Sequence, residues 1–504
     1  MKINSIKNDK IIIYLAVIVG IVFRIIPIWL RDTWYDENFS IILARLPWNE
    51  MMAATAADVH PPLWYIICWL FARIDFLPGW AICRIPALVA SLLSIYVFWL
   101  VLKSLWFISP RWQTAAMVLF CLMPSQIYYA QEGRQYALLT LLVLITWYSI
   151  IKLDYNWWGF GKYRLFLFLS LVGILYLHNY GIIYFVVLLA AGIIYNIYRK
   201  LYMDILVMLW TATLAFICYI PWIGILLSQM ESIHGIYWMV HLTPQSFLID
   251  IAESFFTGET SLNNRILDLA VFWFFIGWNI YTIIKDKKHS VLFISSVLVL
   301  AFGPATIAAI GSIIWKQPIL LNRALLPSTP FMALLMAYIY PKLSLNKTKL
   351  ILALIVFLPA FVVNLGITIN RHIWPSWDSI KMAAILEKWR PGDLIFYNDD
   401  SLFVSGKGLG LITDEMDLIR ITPCGYTRGG LTENTRMAIG ETTGLIPSSY
   451  EADRTWIVLM ETPLSPTCES EYFRSLGLFD NNPLVCAYNN KLVKACVYLV
   501  DHGN

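Results

Sequence analysis

The feature that most constrains this sequence is a succession of apolar runs, each long enough to cross a membrane. A hydrocarbon core about 30 Å thick needs roughly 20 apolar residues in a helix. Only 14% of the 504 residues are charged, against roughly 25% in a typical soluble domain. We therefore predict a polytopic α-helical membrane protein with about 11 transmembrane helices, placed near residues 11–30, 81–101, 112–129, 135–151, 165–178, 181–197, 203–224, 266–284, 290–314, 318–340 and 348–369.

The first apolar run is expected to remain as a membrane anchor. The segment from Met1 to Lys10 is polar and basic, and the run from Ile11 to about Leu30 is too long for a signal-peptide core. A shorter apolar stretch, residues 61–74, begins with two prolines and is followed by Asp75. We interpret it as a helix that lies at the interface or dips into the membrane.

The distribution of basic residues predicts the orientation of the chain. With 11 spans, six segments face the cytoplasm and carry 16 Lys and Arg residues, whereas the outer loops before the last span carry seven. Cytoplasmic loops of membrane proteins are enriched in Lys and Arg. Counting 61–74 as a further span would reverse this distribution. We therefore expect the C-terminus outside. The formal net charge of +4 is spread over short loops, so it does not indicate a nucleic-acid partner.

The composition changes after about residue 370, which predicts two domains. Residues 1–370 form the transmembrane domain with an outer loop at 31–80, and residues 371–504 form a small extracytoplasmic domain. Helical periodicity over 376–389 and apolar segments at 394–397, 456–460 and 495–500 predict alternating helices and strands, and hence an α/β fold. The glycine-rich segment 406–410 does not follow a strand and open a helix as a phosphate loop does, so we interpret it as a flexible loop.

The eight cysteines show no metal-binding spacing. Four lie in apolar runs, where Cys behaves as a small hydrophobic residue. The other four are Cys424, Cys468, Cys486 and Cys496, in the C-terminal domain. An oxidising compartment would permit disulfides there. Cys486 and Cys496 flank a polar turn and are our preferred pair, and four buried free thiols remain the alternative.

Ionisable residues in the membrane domain fall at or near the outer ends of the predicted helices. Polar groups at membrane depth are costly and usually mark a functional site. A transporter would more often place such groups near the midplane, on interrupted helices. One-sided clustering therefore indicates a reaction centre at the outer face. The residues are Asp36, Glu37, Asp58, His60, Glu132, Arg134, His178 and Arg323.

Five short motifs carry a resemblance to a known family. They are Trp34-Tyr-Asp36-Glu37 after the first span, Asp58-Val-His60-Pro-Pro-Leu63, Arg84-Ile-Pro-Ala-Leu, Gln131-Glu-Gly-Arg134-Gln-Tyr136, and Asn322-Arg323-Ala-Leu-Leu-Pro327. Their order over residues 11–370 resembles the GT-C glycosyltransferases. The most similar group is the family 39-like enzymes, which include protein O-mannosyltransferases, aminoarabinose transferases and RgtA/B/C/D-like bacterial proteins.

The resemblance implies an inverting glycosyltransferase, which moves a hexosyl or pentosyl group from a polyprenyl-phosphate donor to a lipid, glycan or protein acceptor outside a bacterial inner membrane. Such a transfer needs a base for the acceptor hydroxyl, and cations or hydrogen-bond donors for the leaving phosphate. The runner-up is a transporter, flippase or polymerase of envelope glycolipids, which would need a polar path through the membrane. A third class is a non-catalytic scaffold, in which Asp36, Asp58 and Arg134 should lie far apart.

The roles of the acidic and histidine residues follow from the resemblance and from their chemistry. Asp36 is the candidate base, as the family match implies, and Glu37 beside it is placed in the catalytic pair. Asp58 and His60 are predicted to bind substrate, although Asp58 could instead cap a helix and His60 could stabilise the turn. No metal-ligand spacing requires a divalent cation between these groups, and its presence is left open.

Two arginines and their neighbours complete the predicted site. Arg134 and Arg323 are candidates for the donor phosphate, because a guanidinium can hold two phosphate oxygens, or they could anchor helix ends at headgroups. Glu132 is expected to orient Arg134 or contact the acceptor. Tyr35, like Trp34, could stack on a sugar or belong to the interfacial aromatic belt. Outside this set, Arg24 is expected to snorkel to the interface and His178 to end a helix.

Overall fold

A computed structural model describes the chain over most of its length. The described residues are 2–30, 33–153, 161–233, 242–256, 262–286, 291–343, 347–370, 385–398, 401–412, 416–421, 433–439, 441–444, 454–461, 485–489 and 493–501. The predicted helix at 376–389 therefore lies mostly outside the described residues.

Residues up to 370 form a helical bundle. Its helices are α1 (Lys2–Ile25), α2 (Tyr35–Arg45), α3 (Trp48–Ala57), α4 (Leu63–Phe71), α5 (Ala81–Ser104), α6 (Pro110–Leu122), α7 (Pro124–Ala130), α8 (Tyr136–Lys152), α9 (Lys162–Leu177), α10 (Tyr180–Arg199), α11 (Tyr202–Ile233), α12 (Pro244–Phe255), α13 (Leu262–Asp286), α14 (Val291–Trp315), α15 (Thr329–Met336), α16 (Tyr340–Leu343) and α17 (Lys347–Asn370). Each predicted span coincides with one of these helices or with a broken series of them.

The described helices have the length and composition of a multi-pass membrane protein. Among the described residues, five helices are both long and apolar enough to cross a membrane: Ala81–Ser104, Tyr180–Arg199, Tyr202–Glu231, Arg265–Lys285 and Val291–Trp315. The stretch predicted to be interfacial contains α4, which has nine residues and is too short to span a hydrocarbon core.

Two of the predicted spans that lead to or contain candidate site residues are interrupted. The third is divided between α6 and α7, because Pro124 begins a new helix after Met123 and the residue before a proline is disfavoured in the helical region. The tenth begins as a 3₁₀ helix, Asn322–Ser328, and continues into α15. These breaks bring the segment after α7, and Arg323, toward the same end of the bundle as α2.

Arg24 corrects one prediction from the sequence. It does not reach the interface by snorkelling, because its side chain is fully buried. Its guanidinium donates to Ser91 Oγ at 3.0 Å, to the carbonyl of Gly20 at 2.8 Å and to the carbonyl of Cys121 at 2.6 Å. A buried charge is tolerated when hydrogen bonds replace its hydration, so Arg24 connects α1 to α5 and α6 inside the bundle.

The C-terminal region forms a six-stranded sheet. The strands are β1 (Leu394–Tyr397), β2 (Asp417–Ile421), β3 (Thr442–Gly444), β4 (Arg454–Glu461), β5 (Val485–Asn489) and β6 (Val493–Asp501), in the order β3-β2-β1-β4-β6-β5. β1 to β4 pair in parallel, and β6 pairs antiparallel with β4 and β5. α18 (Ser401–Leu409) connects β1 to β2, and α19 (Glu433–Ala438) lies between β2 and β3. The predicted strands at 394–397, 456–460 and 495–500 are confirmed.

The glycine-rich segment at 406–410 is not a flexible loop, which corrects a second prediction. Most of it belongs to α18, which packs against α2. A Cβ atom on Gly408 would lie 2.5 Å from Asn38 Cβ, so only glycine permits this approach. Arg45 Nη1 also donates to the Gly408 carbonyl at 3.3 Å. The sheet region therefore contacts the helix that carries Asp36.

Candidate functional site

Asp36 lies in the first turn of α2, where the helix geometry suits a carboxylate. Trp34 is extended and precedes the helix, and Glu37 accepts a hydrogen bond from the Trp34 backbone N–H at 3.2 Å. Asp36 and Glu37 both occupy the first turn, where the helix dipole stabilises negative charge. The Asp36 side chain keeps 18% of its surface exposed, so the carboxylate is accessible from one side.

Glu37 occupies a different environment from its neighbour. Its side chain is fully buried, and Arg84 binds it with two hydrogen bonds, from Nε to Oε1 and from Nη2 to Oε2, both 2.8 Å long. The backbone N–H of Gly133 donates to Glu37 Oε1 at 2.7 Å. A Cβ on Gly133 would lie 2.8 Å from Cys83 Sγ, so glycine is needed for this approach. Glu37 thus joins α2, α5 and the segment after α7.

Arg134 lies in that buried segment between α7 and α8. Its Nη1 donates to the Asp36 carbonyl and to Ser40 Oγ, both at 3.1 Å, and its Nε lies 3.8 Å from Asp36 Oδ2. The side chain is only 4% exposed. Arg134 is therefore not a headgroup anchor at a helix end, and its charge faces the Asp36 carboxylate inside the protein.

Arg323 is far from Asp36 in the sequence but contacts it in the fold. Its Nη1 donates to Asp36 Oδ2 at 3.1 Å, and the side chain is 20% exposed. The guanidinium carbon also lies 6.0 Å from the centre of the Trp34 ring and 5.7 Å from that of Tyr136, within the range of cation–π attraction. Arg134 and Arg323 together place two positive charges around one carboxylate.

These two arginines control the ionisation of Asp36. Burial favours the neutral carboxylic acid, but the Arg134 and Arg323 guanidiniums, with a smaller contribution from His60, outweigh burial and hold the pKa of Asp36 below its ordinary value of 3.8. Opposite charges within a few ångströms favour the ionised form. Asp36 is therefore a carboxylate at neutral pH, with two guanidiniums beside it.

Asp58 and His60 lie together beside this cluster. Asp58 is buried and follows α3 as its C-terminal cap, so it does not cap α4. Its Oδ2 accepts a hydrogen bond from the Tyr65 hydroxyl at 3.3 Å and lies 3.3 Å from His60 Nδ1. Asn179 donates to the Val59 carbonyl at 2.7 Å, so the turn that carries these residues is connected to the start of α10.

Glu132 and Tyr35 are sequence neighbours of the central residues: Glu132 is two positions from Arg134, and Tyr35 is next to Asp36. Glu132 is buried two residues before Arg134, and its carbonyl accepts the Arg134 backbone N–H at 2.7 Å. It lies close enough to Arg323 to act on it electrostatically. Tyr35 is partly buried and packs against the core at the start of α2. The eight residues predicted for the site thus lie around one end of the bundle, and Asp36, Asp58 and Arg134 are not far apart as a scaffold would have them.

Three further residues lie at the same end of the bundle, although they were left out of the site predicted from the sequence. Arg84 binds Glu37, Tyr136 lies against Arg323, and the ring of His178 lies 5.7 Å from that of Tyr136. Arg84 and Tyr136 lie inside motifs that the sequence had already singled out, which was the available signal. His178 was considered, but its position at a helix end resembled that of an ordinary interfacial histidine.

The acidic, cysteine and histidine side chains bear on whether the protein holds a metal ion. Across the ranges that the structure describes, no three His, Cys, Asp or Glu side chains are grouped so that they could hold a metal ion. Asp58 and His60 form a pair, and Asp36 is engaged by arginine.

Comparison with known proteins shows a likeness in fold. No protein-family model and no curated protein sequence matches the chain. Among solved structures, the chain is similar to ArnT, an aminoarabinose transferase from Cupriavidus metallidurans, bound to undecaprenyl phosphate, with 12% identity and a TM-score of 0.52 over 96% of this chain and 97% of that one. The oligosaccharyltransferase of Archaeoglobus fulgidus matches with 13% identity and a TM-score of 0.48, over 88% of this chain and 65% of that one.

The likeness to ArnT extends over nearly the whole of both chains. At 12% identity it concerns the backbone arrangement and not the individual side chains. The chain therefore has the fold of the GT-C glycosyltransferases, as its sequence motifs predicted, and it is a multi-pass helical membrane protein.

Proposed function

We propose that this protein is a glycosyltransferase, which moves a sugar from a polyprenyl-phosphate donor to an acceptor hydroxyl outside the membrane. The observation that carries the proposal is the Asp36 carboxylate, held 3.1 Å from Arg323 and 3.8 Å from Arg134 in a partly exposed site. A carboxylate that can take a proton, beside two cations that can bind phosphate, supplies the two groups that such a transfer requires.

The arginines are proposed to bind the phosphate of the donor. A guanidinium has several N–H donors in a plane and can bind two phosphate oxygens at once. When the bond between the sugar and phosphate breaks, the departing phosphate gains negative charge. Arg134 and Arg323 would stabilise this charge more strongly in the transition state than in the bound donor, which lowers the barrier.

Asp36 is proposed as the general base, with its strength adjusted by the donor. The guanidiniums lower the pKa of Asp36, which makes it a weak base. A bound phosphate brings negative charge to the same guanidiniums and offsets their effect on the carboxylate, so the pKa of Asp36 should rise when the donor binds. The base would then be strongest when a donor is present.

The proposed transfer is a single displacement. The acceptor oxygen attacks the anomeric carbon from the face opposite the phosphate, the acceptor proton passes to Asp36, and the bond from the anomeric carbon to the phosphate oxygen breaks with its electron pair on the phosphate. Polyprenyl phosphate leaves, and the anomeric configuration is inverted. The acceptor can be a lipid, a glycan or a protein.

The remaining site residues are proposed to bind or position. Glu37 has its oxygens occupied by Arg84, Gly133 and Trp34, which supports a positioning role in place of the catalytic role expected from the sequence. Asp58, His60, Glu132 and Tyr35 are proposed to contact substrate.

The C-terminal sheet region is proposed to lie on the same side of the membrane as the site. Its α18 packs on α2 through Gly408 and Asn38, and α2 carries Asp36. With the positive-inside orientation this side is the exterior, so residues 371–504 would be extracytoplasmic. The resemblance to bacterial GT-C enzymes supports a location in a bacterial inner membrane. A reporter-fusion map tests this orientation, and a cytoplasmic location of residues 371–504 would contradict it.

The activity itself is tested by mass spectrometry of envelope lipids and glycans. Cells that lack the protein should lose one sugar substituent, and the wild-type gene should restore it, whereas Asp36→Asn at equal expression should not. An unchanged envelope in cells without the protein would overturn the proposal. Restoration by Asp36→Asn would remove Asp36 from the mechanism and leave the activity in place.

A further inference from the structure

The imidazole of His178 lies at the edge of the site. One of its nitrogens is hydrogen-bonded, and the other has no hydrogen-bond partner among the described residues. His178 is extended and separates α9 from α10, and its Nδ1 accepts the backbone N–H of Tyr180 at 3.0 Å. A nitrogen that accepts a hydrogen bond carries no proton, so the neutral ring must carry its proton on Nε2. The Tyr180 contact therefore makes Nε2 a donor.

The Nε2 donor of His178 lacks a partner within the described part of the chain. The atom is buried, and the whole residue is only 5% exposed. Leaving a buried donor without a hydrogen bond costs about 1–3 kcal/mol, and buried polar groups in native proteins are nearly always satisfied by protein or water. An orphaned buried donor beside a site is thus a position where a ligand atom can bind.

The surroundings of His178 are those of the proposed transfer site. Its ring lies 5.3 Å from the His60 ring in an edge-on arrangement and 5.7 Å from the Tyr136 ring. Tyr136 lies against Arg323. The Tyr136 hydroxyl and Trp34 Nε1 are also buried, and neither has a hydrogen-bond partner among the described residues. Tyr136 and Trp34 therefore bring two neutral donors beside Arg323, and His178 brings a third beside Tyr136.

The backbone around His178 keeps its ring in place. The His178 carbonyl accepts the Gly181 N–H at 2.7 Å, and a Cβ on Gly181 would collide with the carbonyl oxygen of Ile174. The neighbouring Asn179 is bound to Val59 at 2.7 Å. The turn between α9 and α10 is thus held on both sides, which is what a precise hydrogen-bond donor requires.

We infer that His178 donates a hydrogen bond from Nε2 to a hydroxyl of the sugar being transferred. This inference rests on the proposed function. The two guanidiniums already match the charge of a phosphate, whereas a neutral N–H donor beside aromatic rings matches an uncharged sugar hydroxyl. Tyr136 and Trp34 offer further neutral donors to the same sugar.

Two substitutions separate this role from a purely structural one. In His178→Asn the side-chain oxygen can take the place of Nδ1 and accept the Tyr180 N–H, but no group reaches the position of Nε2. In His178→Gln the side-chain NH₂ can reach the position of Nε2, but the Nδ1 acceptor is lost. Asn therefore retains the contact that begins α10, and Gln retains the donor to the substrate.

The test compares the order of activity with the order of stability. Thermal unfolding of purified protein in detergent should give a melting temperature closer to wild type for His178→Asn than for His178→Gln. Sugar transfer, measured as restoration of the lost envelope sugar at equal expression, should show the reverse order. Losing one buried hydrogen bond should reduce transfer by His178→Asn by roughly 5- to 150-fold.

Undecaprenyl phosphate, which carries no sugar, serves as a second probe. Its binding to purified protein, followed by the thermal shift it produces, should be unchanged in His178→Asn and weakened in Arg323→Ala. A weakened shift in His178→Asn would mean that His178 contacts the phosphate, and would overturn its assignment to the sugar. Transfer that follows stability, with Asn more active than Gln, would leave His178 a structural residue only.

The outcomes for His178 and for the proposed function are distinct. Failure of the function appears as an envelope that does not change when the protein is absent. Failure of the His178 inference appears in cells where the wild-type protein restores the sugar. There, His178→Asn would transfer at least as much sugar as His178→Gln.

Discussion

Asp36 Oδ2 lies 3.1 Å from Arg323 Nη1, although the two residues are separated by 287 positions in the chain. Their contact joins the start of α2 to the 3₁₀ helix that precedes α15. It also defines the point where the proposed proton acceptor and a proposed phosphate-binding cation meet. The consequences of this arrangement can be measured residue by residue.

Replacement of Asp36 by Asn removes the charge and the basicity and keeps the shape of the side chain. A general base contributes roughly 10²–10⁴-fold to the rate, so we expect Asp36→Asn to lower kcat by that factor. The thermal shift with undecaprenyl phosphate should be retained, because the arginines remain. Turnover near that of wild type would show that another group accepts the proton.

Replacement of either arginine by Ala should weaken use of the donor more than use of the acceptor. Charge-assisted hydrogen bonds contribute roughly 1.5–3 kcal/mol each, which corresponds to a rise in the donor KM of roughly 10- to 150-fold. The measurement varies donor and acceptor concentrations separately for Arg134→Ala and Arg323→Ala. The exposed Arg390 provides the control variant Arg390→Ala. An arginine whose loss changed only the acceptor KM would have to be reassigned.

The pH dependence of the reaction should differ between the free protein and its complex with the donor. The pKa of Asp36 lies below 3.8 in the free protein. The decrease of kcat/KM on the acidic side should therefore occur below that pH. The limb of kcat, which reports the complex, should lie at higher pH, because the bound phosphate offsets the guanidiniums. Equal limbs for kcat and kcat/KM would contradict the donor-dependent base.

The same lowered pKa has a consequence for stability. A carboxyl whose folded-state pKa is depressed stabilises the fold above its unfolded pKa, and this contribution is lost as the pH falls through the folded pKa. The stabilisation contributed by the Asp36 carboxylate should therefore begin to be lost near pH 4 and continue to be lost below it. Asp36→Asn should lack that part of the acid destabilisation when melting temperatures are compared across this range.

The buried pair of Glu37 and Arg84 should matter for folding more than for the chemical step. Both side chains are fully buried, and removing one member of such a pair costs about 3–5 kcal/mol because the other charge is left uncompensated. We expect Arg84→Ala to lower the thermal stability strongly and the double variant Glu37→Gln/Arg84→Met to lower it less. Arg390→Ala again serves as the control. A Glu37→Gln protein of normal stability with no turnover would return Glu37 to catalysis.

The hairpin of β5 and β6 bears on the predicted disulfide. The backbone register places Cys486 opposite Cys496, and opposed residues in antiparallel strands have Cα separations of about 4.5–5.5 Å, within the range of disulfides. Cys424 and Cys468 lie outside the described residues. Non-reducing peptide mapping should recover a Cys486–Cys496 peptide, whereas four thiols that alkylate freely in the folded protein would exclude any bridge.

Several elements of the fold were predictable because their signals are local. The apolar runs predicted the helices of the membrane domain, and short apolar segments predicted the strands β1, β4 and β6. The glycine-rich segment at 406–410 was predicted wrongly, because glycine lowers helix propensity and the reason for it lies elsewhere, in the close approach of Gly408 to Asn38. Arg24 was predicted wrongly because its partners, Ser91 and Cys121, lie on other helices.

The sequence by itself determined that the chain is a helical membrane protein with ionisable residues at one end of its helices, because the burial of apolar residues and the bonding of the backbone act on each segment separately. Only the tertiary structure decided how those residues are combined. Asp36 and Glu37 are neighbours in sequence, but packing turns one toward two arginines and encloses the other with Arg84. Such pairings depend on helices that meet from distant parts of the chain, and no periodicity within a single segment records them.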